Sequence, residues 1–313
     1  IEEKIGKIIL PINEKDDEYF NILHTRAKNR VNNAELLDKK QLNEIEPNIN
    51  SRMGKAIYLP NTVVVNSISV IRKLYDFLLS KKVEFEFGGA ISSVDPARSI
   101  ITLKQKKIQY GKIYNCSGQH TDKVYKQFGL EEKYVMMPIR GSYYKLNTKS
   151  NIRLNHLIYP VPDHKIPFLG IHTLNTVNGE TYFGPSAMPA LGREQYKYLE
   201  TVDSIEAFNI VRNLSKLYIK DINNFRKYAN SEIKNFGKRG FVNSIRNLVP
   251  SIKQHDIDYS DKVGIRAQLL NKKTLEFEMD FLVERQDNVV HVLNAVSPAF
   301  TCSFSMAKTI VCH

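Results

Sequence analysis

The last two dozen residues constrain the fold more than any other stretch of the chain. Residues Val289–Asn294 are a short apolar run rich in β-branched side chains, which predicts a buried strand. Ser297 then offers an N-cap oxygen and Pro298 suits the first helical position, so residues 299–311 predict a buried helix. A strand that leads into a helix presents unpaired backbone N–H groups to whatever lies in front of them, although an ordinary packing unit has the same pattern.

Length and charge limit the class of protein. A chain of 313 residues predicts about two domains, and its net charge is +12. The lysines and arginines are spread along the chain without a long basic run or a nucleic-acid-binding motif, so we expect no nucleic-acid partner. Scattered positive charge would attract a dicarboxylate, and it leaves open a peripheral contact with an anionic membrane surface.

Cysteine usage and hydropathy indicate the cellular setting. The three cysteines are widely separated, which predicts buried, reduced thiols. The histidines and cysteines show no metal-ligand spacing, so we expect no metal. No run of eighteen apolar residues and no signal peptide occurs, and we therefore expect a cytoplasmic protein, with the inner face of the membrane as a peripheral location.

Four motifs follow one another in a recognisable order. They are I-R-G-S-Y-Y-K-L (139–146), L-I-Y-P-V-P-D-H-K-I-P-F-L-G-I-H (157–172), G-I-R-A-Q (264–268) and N-A-V-S-P-A (294–299). Together they resemble the FAD-dependent L-2-hydroxyglutarate dehydrogenases and oxidases of the D-amino-acid-oxidase-like flavoprotein superfamily. The resemblance extends from about Gly6 to the C-terminus.

The resemblance implies a mixed α/β fold with two kinds of domain. Residues 1–133 are expected to hold the remainder of a Rossmann-like FAD-binding domain with interleaved substrate-domain strands. Residues 134–262 are expected to form an antiparallel-sheet substrate domain with helices, and residues 263–313 to return to the FAD-binding domain. No G-x-G-x-x-G motif occurs, so we expect a fragment that lacks the first βαβ unit. A flavin-free binding protein on a decayed flavoprotein scaffold is the alternative.

Local patterns predict several further elements. Asn66 or Ser67 should cap a helix, and residues 83–87 alternate with period two, as in a strand. Residues 90–103 should form a hairpin around D-P-A-R, and residues 203–249 should be helical.

The resemblance also implies which residues approach the cofactor. N-C-S-G at 115–118 is similar to a family motif at a strand end, where a glycine lets the backbone approach FAD, although a glycine after a strand is usually only a turn. The predicted cofactor-binding residues are Cys116, Ser117, Gly118, Asn294, Ala295, Ser297, Pro298 and Ala299.

Five residues are candidates for binding and oxidising a small dicarboxylate. Arg140 and Arg266 lie in apolar strand context, where a guanidinium needs either a substrate carboxylate or a structural ion pair. Tyr144 and Tyr159 could donate phenolic hydrogen bonds or simply pack as aromatic rings. His172 is the candidate base, with a hydrogen-bonded core histidine as the alternative.

The reaction that the resemblance implies is oxidation of L-2-hydroxyglutarate to 2-oxoglutarate by hydride transfer to the flavin. Electrons would then pass to a quinone or to oxygen. The alternative within flavoenzymes is an oxidase of amino acids or of glycerol 3-phosphate. We also expect that the fragment could be inactive by itself.

Overall fold

The computed structural model describes residues 2–31, 33–131, 133–163, 169–197 and 202–312. The chain divides into two compact units. Unit 1 comprises Ile1–Val83, Gly141–Ala187 and Lys227–Val263, and unit 2 comprises Glu84–Arg140, Met188–Arg226 and Gly264–His313. The assignment of residues 1–133 and 263–313 to an FAD-binding domain, and of residues 134–262 to a substrate domain, remains a prediction.

The mixed α/β class predicted from the sequence is confirmed by the elements found in the described residues. The strands are β1 (Glu2–Lys4), β2 (Lys7–Leu10), β3 (Glu35–Asp38), β4 (Lys55–Leu59), β5 (Val63–Val65), β6 (Ile91–Asp95), β7 (Ile100–Leu103), β8 (Lys106–Gln109), β9 (Ile113–Asn115), β10 (Tyr134–Leu146), β11 (Leu157–Pro160), β12 (His172–Asn175), β13 (Thr181–Gly184), β14 (Met188–Pro189), β15 (Ile257–Asn271), β16 (Leu282–Gln286) and β17 (Val289–Asn294). The α-helices are α1 (Asp17–Arg30), α2 (Lys39–Ile45), α3 (Ser67–Ser80), α4 (Thr121–Gln127), α5 (Ser204–Lys220), α6 (Phe225–Lys234), α7 (Gly237–Ile245) and α8 (Ser303–Cys312).

Unit 1 is built on a four-stranded sheet with the order β11-β2-β4-β3. Strand β2 pairs parallel with β11 and antiparallel with β4. The alternation in K-I-I-L buries Ile8 and Leu10 completely, while Lys7 and Ile9 face the other side of the sheet. Each fully buried aliphatic side chain stabilises the unit by roughly 1.5–3 kcal/mol.

A second set of strands in unit 1 carries the segment that the sequence analysis assigned to substrate. Strand β12 pairs antiparallel with β13, and β13 pairs with Tyr144 and Lys145 of β10. Helix α7 contributes Phe241 and Ile245 to the same apolar core as Ile8. The helix predicted after Asn66 is confirmed as α3, since the Asn66 side chain accepts a 3.0 Å hydrogen bond from the backbone N–H of Ser69.

Unit 2 contains a three-stranded sheet with the order β16-β17-β9. Strand β17 pairs parallel with β9 and antiparallel with β16, and all six of its residues are buried. The predicted strand at Val289–Asn294 is therefore confirmed. The hairpin predicted at residues 90–103 is also confirmed, and it consists of β6 and β7. The first part of strand β10 also belongs to unit 2, where its residues Ile139 and Arg140 pair with β14.

Several predictions about local structure are wrong. The thiols are not buried, because Cys116 and Cys312 are exposed and Cys302 is partly exposed. Residues 83–87 form no strand, because no described sheet offers them a partner, and Phe85 and Phe87 instead stack on each other with ring centroids 5.9 Å apart. The last helix begins at Ser303, so Pro298 is not its first residue.

Residues 297–302 turn before that helix starts. The N–H of Ala299 donates to the carbonyl of Val296 at 2.8 Å, and the N–H of Cys302 donates to the carbonyl of Pro298 at 3.1 Å. Helix α8 is also mostly exposed rather than buried, with Ile310 as its one buried residue in the described structure.

Candidate functional site

Two adjacent parallel strands of unit 1 bring a lysine and a tyrosine together. Lys7 begins β2, and Tyr159 lies on β11 opposite Ile9. The Lys7 ammonium nitrogen lies 3.9 Å from the centroid of the Tyr159 ring. That ring stacks on the imidazole of His172, with centroids 4.1 Å apart and planes inclined by 26°. We call Lys7, Tyr159 and His172 the Lys7 cluster.

His172 is held as a neutral imidazole with one accepting nitrogen. Its Nδ1 lies 2.9 Å from the carbonyl oxygen of Gly170. A carbonyl only accepts, so Nδ1 carries the hydrogen and Nε2 keeps a lone pair. Burial, together with the nearby Lys7 cation, lowers the pKa of His172 to about 4, although the hydrogen bond to Gly170 opposes this shift. The side chain can therefore accept a hydrogen bond at neutral pH.

Two tyrosine hydroxyls near the histidine remain protonated at neutral pH. Burial, and secondarily the proximity of Tyr143, raises the pKa of Tyr159 to about 12. Burial also raises the pKa of Tyr143. Gly184, the register partner of His172, makes room for the Tyr143 ring, because a Cβ at Gly184 would lie 2.6 Å from a ring carbon of Tyr143. Both hydroxyls are therefore available as donors.

Lys7 is a functional candidate that the sequence analysis missed. Its side chain is half-buried, and burial lowers the pKa of its ammonium group. The sequence signal was a lysine at an alternating position of the apolar run K-I-I-L. A partly desolvated cation on an aromatic face, beside an accepting imidazole, is suited to an anion that also carries a hydroxyl group.

The other predicted substrate residues are not members of this cluster. Tyr144 is buried against Phe241 and Tyr259, with ring centroids 4.6 and 5.0 Å away. Neighbouring residues of a strand point to opposite faces, so Tyr143 rather than Tyr144 lies near Tyr159. Arg140 and Arg266 belong to unit 2.

Each of these arginines lies on a long strand. Arg140 is buried on β10, and its Nη2 donates a 3.1 Å hydrogen bond to the carbonyl of Tyr196. Arg266 is half-buried on β15. Their assignment to a substrate carboxylate remains a prediction.

The two segments predicted to approach the cofactor lie at one end of the sheet of unit 2. The parallel register pairs Ile113 with Val289 and Asn115 with His291. Both strands therefore run in the same direction, and each is followed by exposed residues. These exposed residues are Cys116, Ser117 and Gly118 after β9, and Ala295, Ser297 and Pro298 after β17, with Ala299 partly exposed.

This arrangement fits a dinucleotide cofactor. Open α/β sheets bind ligands beyond the carboxyl ends of their parallel strands. Gly118 adopts φ +57°, and nothing lies within 4 Å of the position that a Cβ would take there. A ligand can thus approach its backbone closely.

Two asparagine side chains at these strand ends form hydrogen bonds with neighbouring segments. The Asn115 amide nitrogen donates to the carbonyl of Thr121 at 3.1 Å and to Nδ1 of His291 at 3.0 Å. The amide nitrogen of Asn294 donates to the carbonyls of Glu278 and Asp280 at 3.2 and 2.7 Å. The side chain of Asn294 therefore positions a neighbouring loop, and only its backbone remains a candidate for cofactor contact.

The described residues include neither a metal-binding cluster nor a helix that could cross a membrane. No group of three or more His, Cys, Asp or Glu side chains in the described ranges could hold a metal ion. Within the same part of the chain, no helix has the length and apolarity needed to cross a bilayer.

A family model described as "FAD dependent oxidoreductase" matches residues 3–312. The chain is 26% identical over 318 residues to L-2-hydroxyglutarate dehydrogenase of Escherichia coli strain K12, covering 99% of this chain and 72% of that protein. It is 28% identical over 313 residues to L-2-hydroxyglutarate dehydrogenase of Salmonella houtenae, covering 98% of this chain and 72% of that protein.

Among solved structures, the fold is similar to dithionite-reduced L-α-glycerophosphate oxidase from Mycoplasma pneumoniae with FAD bound. The TM-score is 0.71 at 15% sequence identity, and the match covers 99% of this chain and 72% of that one. The similarity in fold therefore covers nearly the whole chain.

Proposed function

This chain belongs to the FAD-dependent oxidoreductase family, and we propose that it oxidises L-2-hydroxyglutarate to 2-oxoglutarate. The observation that carries the proposal is the Lys7 cluster, in which a cation and a neutral accepting imidazole flank one tyrosine ring. A 2-hydroxy acid needs both features, because its carboxylate is an anion and its hydroxyl must lose a proton. The names of the curated relatives support the choice of this acid.

The cofactor would be held by the strand ends of unit 2. Residues 116–118 and the backbone of residues 294–299 would contact it, because they are exposed beyond the same end of two parallel strands. Bound FAD supplies an acceptor for the hydride that leaves carbon 2 of the substrate.

His172 would take the proton of the substrate hydroxyl. Its Nε2 has the free lone pair, and the Gly170 carbonyl fixes the tautomer and the orientation of the ring. A base with a pKa of about 4 is weak at neutral pH. A carboxylate bound at Lys7 would offset the part of this shift that comes from the Lys7 charge, and so would increase the basicity of His172 when substrate is present.

Lys7 and the tyrosine hydroxyls would bind the acid. The half-buried ammonium group of Lys7 offers three donors to a carboxylate, and Tyr159 and Tyr143 offer one hydroxyl each. We keep Arg140 and Arg266 as proposed carboxylate-binding residues, since a guanidinium matches a carboxylate in two parallel hydrogen bonds.

We further propose that a quinone or oxygen accepts the electrons. The net charge of +12 favours contact with anionic lipid headgroups, which supports a cytoplasmic protein that binds the inner face of the membrane peripherally. Sedimentation with anionic and with zwitterionic vesicles tests that contact, and equal recovery with both would refute it.

A substrate panel tests the proposed reaction. The FAD-loaded protein is assayed with an artificial electron acceptor and with L-2-hydroxyglutarate, D-2-hydroxyglutarate, glycerol 3-phosphate or glycine. We expect kcat/KM for the L-acid to exceed the others by about 10²-fold or more, which corresponds to about 2.7 kcal/mol. A preference for glycine or glycerol 3-phosphate would instead assign the chain to the amino-acid or glycerol-phosphate oxidases of this fold.

A further inference from the structure

Unit 2 contains a cavity of about 310 Å³ that none of the residues assigned above lines. One wall is helix α5 and another is the first half of β10, and Lys272 from the turn after β15 completes the lining. Ligand pockets begin at roughly this size. We call it the α5 cavity.

The charge of the α5 cavity is positive. Arg212, Lys216 and Lys272 all line it. Glu206 is the one carboxylate among its described lining residues, and it is already paired with Arg193 at 2.8 Å and with Lys123 at 2.6 Å. Arg212 and Lys216 therefore leave this lining with positive charge that an anion would offset.

A buried amide also lines the α5 cavity. Asn213 is 7% exposed and lines the same space. Because Asn209, Asn213 and Lys216 lie three or four residues apart, they share one face of α5 and present several donors to the same space.

The remaining lining is apolar. Val135, Met136 and Pro138 of β10 and Ile210 of α5 contribute it. A ligand with only charged groups would leave these side chains against water, whereas a ligand with a carbon body would cover them. The lining thus combines donors and cations with an apolar surface.

We infer that the α5 cavity binds a small organic anion, whose carboxylate or phosphate group contacts Arg212 and Lys216 and whose carbon body covers Met136 and Ile210. Asn213 donates to an oxygen of the same ligand. The site is independent of the oxidation proposed above, and it shares no residue with the Lys7 cluster or with the predicted cofactor segments.

Calorimetric titration of the protein tests this inference. The probes are citrate for a carboxylate, inorganic phosphate and glycerol 3-phosphate for a phosphate, and sodium chloride at matched ionic strength as the control. We expect saturable binding of at least one anion with a Kd below about 1 mM, and the citrate and phosphate arms identify the preferred group.

Two matched double variants locate the binding. Arg212→Ala with Lys216→Ala removes two cavity charges, and Lys220→Ala with Lys227→Ala removes two exposed charges that do not line the cavity. The first pair should weaken Kd by about 10-fold or more and the second by less than about 3-fold.

If both double variants weaken anion binding equally, the effect comes from the overall positive charge of the protein, and the proposed site is wrong. The absence of saturable binding for all three anions up to about 20 mM would overturn it as well. Asn213→Asp, with its fold checked by circular dichroism, should abolish binding, because it places a like charge beside the ligand. Retained affinity in a folded Asn213→Asp protein would remove Asn213 from the site.

Discussion

Replacing His172 with glutamine should remove a defined part of the acid sensitivity of the protein. His172 is 7% exposed, and its pKa falls from 6.5 to about 4 on folding. The unfolded chain therefore binds more protons than the folded chain between these two pH values. Because stability rises with pH wherever the unfolded state binds more protons, the free energy of unfolding decreases as the pH falls through this window.

The size of this effect follows from the shift. A difference of about 2.5 pH units corresponds to about 3 kcal/mol, fully lost below about pH 4. Urea unfolding of the parent and of His172→Gln at pH 7.5, 5.5 and 4 measures it. The stability of the parent relative to the variant should decrease by about 3 kcal/mol between pH 7.5 and pH 4.

A matched surface histidine supplies the control. The His255 side chain is 77% exposed, so His255→Gln should change the free energy of unfolding by less than about 0.5 kcal/mol at every pH. If the difference between the parent and His172→Gln stays constant from pH 7.5 to pH 4, His172 is not held as a buried neutral imidazole and the reasoning fails.

Three further predictions concern binding and stability. Lys7→Met should raise KM for the dicarboxylate by about 10-fold or more while the exposed Lys4→Met leaves it unchanged, and an unchanged KM in Lys7→Met would exclude Lys7 as an anchor. Arg266→Ala should raise KM more than about threefold, and a smaller change would remove this arginine from the site. Arg193→Met should lower the free energy of unfolding by about 3–5 kcal/mol, because the Asp122 carboxylate would lose the guanidinium group that pairs with it. A loss below about 1 kcal/mol in urea unfolding would contradict this expectation.

The sequence predicted those elements whose signal is local. Residues Val289–Asn294 form a continuous β-branched run and became a fully buried strand. Asn66 had the side chain that an N-cap needs, and it caps α3. The strand predicted at 83–87 failed because alternation specifies a face to bury but does not supply a neighbouring strand.

In the candidate site as well, the sequence indicated local features but not contacts between distant segments. Tyr159 and His172 were predicted within one motif, and the structure stacks them. Lys7 is more than 150 residues away from them in the sequence, and only the parallel pairing of β2 with β11 brings it to the ring. The sequence does not show which face of β10 meets the core, so it could not indicate that Tyr144 packs in that core.

Anaerobic reduction of the FAD-loaded protein tests the proposed function most directly. The visible flavin band is followed while L-2-hydroxyglutarate, its D-enantiomer, glycine or glycerol 3-phosphate is added. We expect bleaching by the L-acid alone, with a rate about 10²-fold lower in His172→Ala and unchanged in His255→Ala. A flavin band that ignores the L-acid but is bleached by glycine or by glycerol 3-phosphate would contradict it.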